Sequence, residues 1–246
     1  MKRTALQCLL CVAVAGAVAI FVFVLLAGTR HRADTFAGQV AAGAQKLFAS
    51  GQRAEAVAAL EELLVVSPDS VIARRELAME LSASGQWRAA AEQLRLVLNT
   101  SPRDAGAAAK LAEVLDRLGD LQGAIGYART ACKLDPENGL RWAALSALAF
   151  RAGEANEAAR SAQRAVRYAQ GVPEAHIALG FARWLNGDAA GAARSFSDAL
   201  ALDPASPTAL DALTRLRAHP NRPPLRRPST PLESAHLISH HLESVE

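Results

Sequence analysis

The sequence predicts an all-α fold, an α-solenoid of about five helix pairs plus a capping helix, preceded by one transmembrane helix. Three observations carry this expectation. Five glycines, Gly51, Gly85, Gly119, Gly153 and Gly187, stand 34 residues apart without a slip. The apolar content is largely alanine and leucine, which favour helix over strand. From Thr4 to Thr29 there is no charged residue. A period of this length at this composition belongs to a helix-turn-helix unit, whose stacked copies build a binding surface rather than a catalytic centre.

The 246 residues, 51% hydrophobic and only 5% aromatic, carry a net charge of +3. Counting by region removes nucleic acid as the partner. Residues 36–219 hold 20 Lys+Arg against 20 Asp+Glu, and the tail from Pro220 balances three arginines with three glutamates. The excess lies at Lys2, Arg3, Arg30 and Arg32 against Asp34, where it brackets an apolar run. Such charges are membrane flanks, not a phosphate-binding patch.

Residues 4–29 are the expected membrane segment, with Leu6 to Leu26 almost continuously apolar. As a helix, 25 residues rise about 37 Å, enough to cross a hydrocarbon core of about 30 Å with some tilt. A cleaved signal would have a shorter apolar stretch and a small-x-small site. Leu25 and Leu26 stand where that site needs small residues, so an uncleaved signal-anchor is expected. Charges on its two sides are nearly balanced. The short basic N-tail favours an inside N-terminus, with the body on the periplasmic or extracytoplasmic face of a bacterial inner membrane. Cys8 and Cys11 lie within this run without other zinc ligands and serve as small apolar side chains.

The repeats follow over residues 37–70, 71–104, 105–138, 139–172 and 173–206. Proline stands near the end of four units (Pro68, Pro102, Pro136, Pro204), and Gln170 replaces it in the other. The first helix of each unit is expected to end near Ala49, Ala83, Arg117, Arg151 and Leu185. Glycine follows each end, where a left-handed C′ residue is favoured because no Cβ resists it. Leu77, Leu111, Leu145 and Leu179 recur at one position, with Gly43 the exception. Each is followed by a small residue: Ala44, Ala78, Ala112, Ser146 and Gly180. Alanine recurs at Ala56, Ala90, Ala124, Ala158 and Ala192. Small residues at mid-helix let paired helices approach closely, and the leucines fill the seam.

This set of residues resembles the tetratricopeptide repeat. The units that match best are Ala105–Asn138, with Leu111-Ala112, Leu115, Gly119, Ala124 and Leu134-Asp135-Pro136, and Val71–Asp104. The resemblance covers residues 37–206. It departs from the family pattern where Arg74 and His176 replace the large apolar residue that Trp142 supplies in unit four. These units, together with unit one at Gly43 and unit four at Gln170, are expected to pack less well.

Beyond unit five, Ser206-Pro207 reads as the N-cap and first residue of a capping helix over 207–218, closing a domain of residues 37–219. Leu210, Leu213 and Leu216 form its expected apolar stripe. In the tail, 220–246, a Pro/Arg-rich opening cannot be helical and is expected to be disordered. Thr230-Pro-Leu-Glu233 then matches a capping box for a short helix over 231–243, carrying Leu237, Ile238 and Leu242. This segment is expected to occupy the solenoid's own groove or that of a partner.

No phosphate-binding glycine loop, HExxH or GxSxG motif occurs in the sequence. His236, His240 and His241 lie in the tail without a nearby cysteine, short of the four organised ligands of a structural zinc site. Cys132 is expected to be a buried packing residue. No catalytic residue, metal, cofactor or small-molecule substrate is assigned.

In the tetratricopeptide family the first helices line a peptide-binding groove. Carried over by position, the resemblance implies groove residues Arg75, Met79, Glu113, Asp116, Ala143, Ala147, Phe150, Ile177, Phe181 and Trp184, with Leu140 beside them. The lysines and asparagines with which the family clamps acidic chaperone tails are missing. Ile177, Phe181 and Trp184 share one helix face. They either pack on the cap helix or unit four, or form a pocket for an apolar or helical peptide with Trp184 and Phe181 as anchors. The expected function is that of a membrane-anchored, non-enzymatic scaffold or adaptor. It would hold a protein or peptide during assembly of a membrane or exported complex, as in cytochrome c maturation, translocon association or pilus assembly. The alternative is an accessory subunit that docks an enzyme through its span or tail.

Overall fold

The computed structural model describes residues 35–221 and 223. The segments 4–29 and 231–243 lie outside the described residues, among which no helix is long and apolar enough to cross a membrane. The described residues form eleven α-helices and no strand. They are α1 (residues 35–49), α2 (Arg53–Val66), α3 (Val71–Ala83), α4 (Trp87–Thr100), α5 (Ala105–Arg117) and α6 (Leu121–Leu134). α7 (Gly139–Arg151), α8 (Ala155–Tyr168), α9 (Pro173–Leu185), α10 (Ala189–Leu202) and α11 (Pro207–Ala218) follow.

The chain divides into two compact units, one ending at Glu80 and the other beginning at Leu81. In the first, Ala41, Ala44, Ala56, Leu60, Leu63 and Leu77 are buried, and Gln45 donates to Glu76 at 3.1 Å. In the second, each helix packs on its sequence neighbour and the first helices of the last two pairs, α7 and α9, also touch.

The tight turn within each pair has a local cause. Gly119, at φ +84°, donates to Asp116 O at 3.0 Å, and Asp120 N donates to Leu115 O at 2.9 Å. This is a Schellman closure, which needs the left-handed backbone that glycine adopts without a Cβ penalty. The next residue serves both helices. The Asp120 carboxylate accepts from Gly123 N at 2.9 Å, capping α6, so one side chain satisfies an orphan donor immediately after α5 has ended. The five repeated glycines all have φ between +75° and +84°.

The departures at unit position four prove to be a common device. Arg74 donates to Pro68 O at 2.6 Å and Trp142 Nε1 to Pro136 O at 2.7 Å. His176 Nε2 donates to Gln170 O at 2.8 Å. In units two, four and five, three chemically different side chains reach back six residues to the equivalent carbonyl, so there it is the donor, not the apolar bulk, that the position shares. Gln170 can replace proline there because its backbone oxygen is what is used.

In the interior, the small residues of one helix face the alanines of the next. Ser146 Oγ donates to Ala158 O at 2.9 Å, a contact between α7 and α8 that a larger side chain would hold apart. At the C-terminal end Trp184, Ala192, Phe196, Ala212 and Leu216 form a buried cluster joining α9, α10 and α11. The buried face of α11 is Ala209, Ala212 and Leu216, while Leu210 is 47% exposed. This corrects the expected leucine stripe. Residues three apart fall short of a full turn by about 60° each step, so Leu210, Leu213 and Leu216 drift around the helix, whereas a three-then-four spacing stays on one side.

Candidate functional site

The first helices α5, α7 and α9 carry most of the residues placed in the groove. Their geometry separates into a charged part and an apolar part. Glu113 receives a hydrogen bond from Lys110 Nζ at 3.1 Å, and Asp116 from Arg151 Nη1 at 2.6 Å. The second pair ties α5 to α7 with both side chains largely shielded, the aspartate only 16% exposed. Arg117 lies over the Trp87 ring, 5.4 Å from its centroid. The two acids carried over as groove residues are thus neutralised by cations of the fold. A half-buried pair of this kind positions the helices more than it attracts a ligand.

Towards α7 and α9 the surface is apolar. Ala147 is exposed, and Leu140, Ile177 and Phe181 are partly exposed. The Phe181 ring lies 5.0 Å from Phe150 and 6.5 Å from Trp184, and meets Phe196 edge-on at 5.1 Å. Aromatic rings at these separations hold one another in place beyond their area burial. Phe181 is therefore a partly exposed ring held rigidly by three aromatic neighbours.

Three of the residues assigned to the groove belong to the core instead. Trp184 is 1% exposed, Ala143 3% and Phe150 6%. The Trp184 indole packs with Ala212 and Leu216 of α11, and its Nε1 donates to Pro220 O at 3.0 Å. Of the two roles open to it from its spacing, the structure assigns packing on the terminal helix, because α11 covers the face where a ligand would have to enter. Arg75 and Met79 lie exposed on α3, in the unit that ends at Glu80. Lys110 and Arg151 were invisible to positional transfer. A signal existed for Arg151, which stands 35 residues from Asp116, one more than the repeat period.

Among the described residues no group of His, Cys, Asp and Glu is arranged to hold a metal ion. Cys132 is buried, and burial pushes its thiol up to about 12, with Arg141 and Arg164 pulling partly against it. It is protonated at neutral pH and a poor nucleophile. A thiol-alkylating reagent at pH 8 is expected to leave the Cys132 peptide unmodified in the native chain and to modify it in urea, as read by mass spectrometry. Because the folded value lies above the ordinary 9.0, the contribution of this group to stability is intact below pH 9 and is lost as pH rises towards 12.

A family model described as tetratricopeptide repeat matches residues 42–79, 75–139 and 144–207. No curated protein matches the chain. Among solved structures, the chain is similar to a MamA protein, with 20% identity, a TM-score of 0.62, and 70% of this chain and 92% of that one covered. MamA from Desulfovibrio magneticus RS-1 gives 18% identity and a TM-score of 0.62 over 70% of this chain and 97% of that one. YrrB, described as a TPR protein with an unusual peptide-binding site, gives 16% identity and a TM-score of 0.61 over 70% and 88%. At these identities the likeness is one of fold.

Proposed function

Since this chain belongs to the tetratricopeptide repeat family, we propose that it is a non-enzymatic scaffold that binds a protein or peptide across α7 and α9. The observation that carries this is the partly exposed Phe181 ring on α9, fixed by Phe150, Trp184 and Phe196 before any ligand arrives, with α9 packed against the α7 that exposes Ala147. Such pre-ordering lowers the entropic cost of binding. The peptide-binding site of YrrB is consistent with this use of the fold. Neutralisation of Glu113 and Asp116 favours a ligand chosen by apolar side chains rather than by charge.

A photo-crosslinking amino acid at Ala147 tests the site, with the same group at Gly126, an exposed position on α6, as the reference. Position 147 is expected to yield a discrete protein adduct that is lost when Ile177→Arg is introduced beside it. Equal adducts from both positions would overturn the assignment.

We further propose that the uncharged run from Thr4 to Thr29 anchors the chain in the bacterial inner membrane, with the helical body on the extracytoplasmic side. The scaffold then serves assembly or maturation of a membrane or exported complex, of the cytochrome c, translocon or pilus type. In sealed inverted vesicles the body is expected to be protected from added protease until the membrane is permeabilised. Digestion before permeabilisation would reverse the orientation. Release of the intact chain by alkaline carbonate would remove the anchor.

A further inference from the structure

The second helix of the fourth pair carries a charge pattern that the groove does not use. Arg160, Arg164 and Arg167 stand at i, i+4 and i+7 on the exposed side of α8. With Gln163 they line a shallow hollow of about 210 Å³. Arg164 is held in position, its guanidinium 4.5 Å above the centre of the Trp142 ring. The nearest acid on this helix, Glu157, is already shared by Arg160 at 3.1 Å and Arg129 at 3.5 Å. Arg164 and Arg167 have no carboxylate within ion-pair distance among the described residues. Asp135, which like Arg164 acts electrostatically on Cys132, is engaged by Arg141.

We propose that the chain's own segment 228–246 docks on this arginine ridge. From Pro228 onward the segment has no lysine or arginine and carries Glu233, Glu243 and Glu246. Glu243 and Glu246 are three residues apart in sequence, the same separation as Arg164 and Arg167 on α8, so two carboxylates close along the chain meet two guanidiniums on one helical turn. The starting point of the tail is fixed, because Trp184 Nε1 holds the Pro220 carbonyl at 3.0 Å. Trp184 closes α9, which packs directly against α8. From Pro223 to Glu243 the chain can extend about 66 Å, several times the length of α8 at about 21 Å. Tethering raises the effective concentration to the millimolar range, where exposed ion pairs too weak to hold a free peptide become populated. The groove of α5 and α7 offers no such match, since Lys110 and Arg151 there are already paired with Glu113 and Asp116.

The test uses the full-length chain and a glutamate-specific protease. Cleavage after Glu243 is expected to accelerate about fivefold in the double variant Arg164→Glu/Arg167→Glu and in wild type at high salt. Arg88→Glu/Arg95→Glu, an equal charge change at exposed positions of α4, is expected to leave the rate unchanged. Arg164→Gln/Arg167→Gln guards against misfolding of the reversed variant, and circular dichroism reports the fold of each. Unchanged cleavage in both ridge variants would overturn the proposal, as would equal acceleration by the α4 pair. Unchanged cleavage with weakened flotation on phosphatidylglycerol vesicles would assign the ridge to a membrane surface instead.

Discussion

Replacing Trp184 with alanine is expected to lower the unfolding free energy by about 3–5 kcal/mol, the range for deleting a fully buried large aromatic. The indole is 1% exposed and fills the junction of α9, α10 and α11 with Phe196, Ala212 and Leu216. Its removal empties that junction, frees the Pro220 carbonyl and takes away one neighbour of the Phe181 ring. The effect should also be local, because a helix-pair repeat contacts only its neighbours. Amide hydrogen exchange is expected to quicken in α11 and α10 while α5 stays protected. Urea denaturation followed by circular dichroism gives the magnitude. A loss under about 1 kcal/mol would mean that Trp184 is not the keystone of the terminal cluster and would make it a surface anchor again.

A second large loss is expected for Gly180→Leu, about 2 kcal/mol net. A Cβ built at Gly180 would run into the Phe196 ring, with Cδ1 at 2.6 Å and Cζ at 2.8 Å. That ring cannot swing aside, since Phe196 is fully buried and held edge-on by Phe181. Helix propensity works in the opposite direction, worth about 1 kcal/mol for leaving glycine in a helix interior. Overpacking wins because the ring, its neighbours and both helix backbones would have to move together. Gly126→Ala, at an exposed position of α6, isolates the propensity contribution. No atom lies within 4 Å of the point where its Cβ would stand, so a gain of up to about 1 kcal/mol is expected there. Opposite signs for two glycines in one chain, read by the same urea titration, would separate space from backbone preference. A Phe196→Leu background should recover part of the Gly180→Leu loss, as coupled neighbours do.

Much of the architecture was legible along the chain. The five glycines mark the helix ends because a left-handed residue after a helix is a local requirement, decided within six residues by the bonds that Gly119 and Asp120 make. The alanine positions mark close helix approaches because size alone decides them. Unit position four was not legible. Arg74, Trp142 and His176 look unlike one another by hydropathy, yet each donates to a carbonyl six residues back. Hydropathy does not register a shared donor.

The groove was legible in outline only. Its lining helices follow from the repeat, but Lys110 and Arg151 cancel the acids there, and α11 turns Trp184 from a surface residue into a core one. What the sequence by itself determined is the period, the helix ends, the turns and the family, since each depends on residues close along the chain. What only the tertiary structure decided is which face each helix presents and which charges find a partner. The Lys110–Glu113 pair is local, three residues apart on one helix, but the Arg151–Asp116 pair and the cover over Trp184 come from neighbours about 30 residues away, and the chain's local preferences do not contain that information.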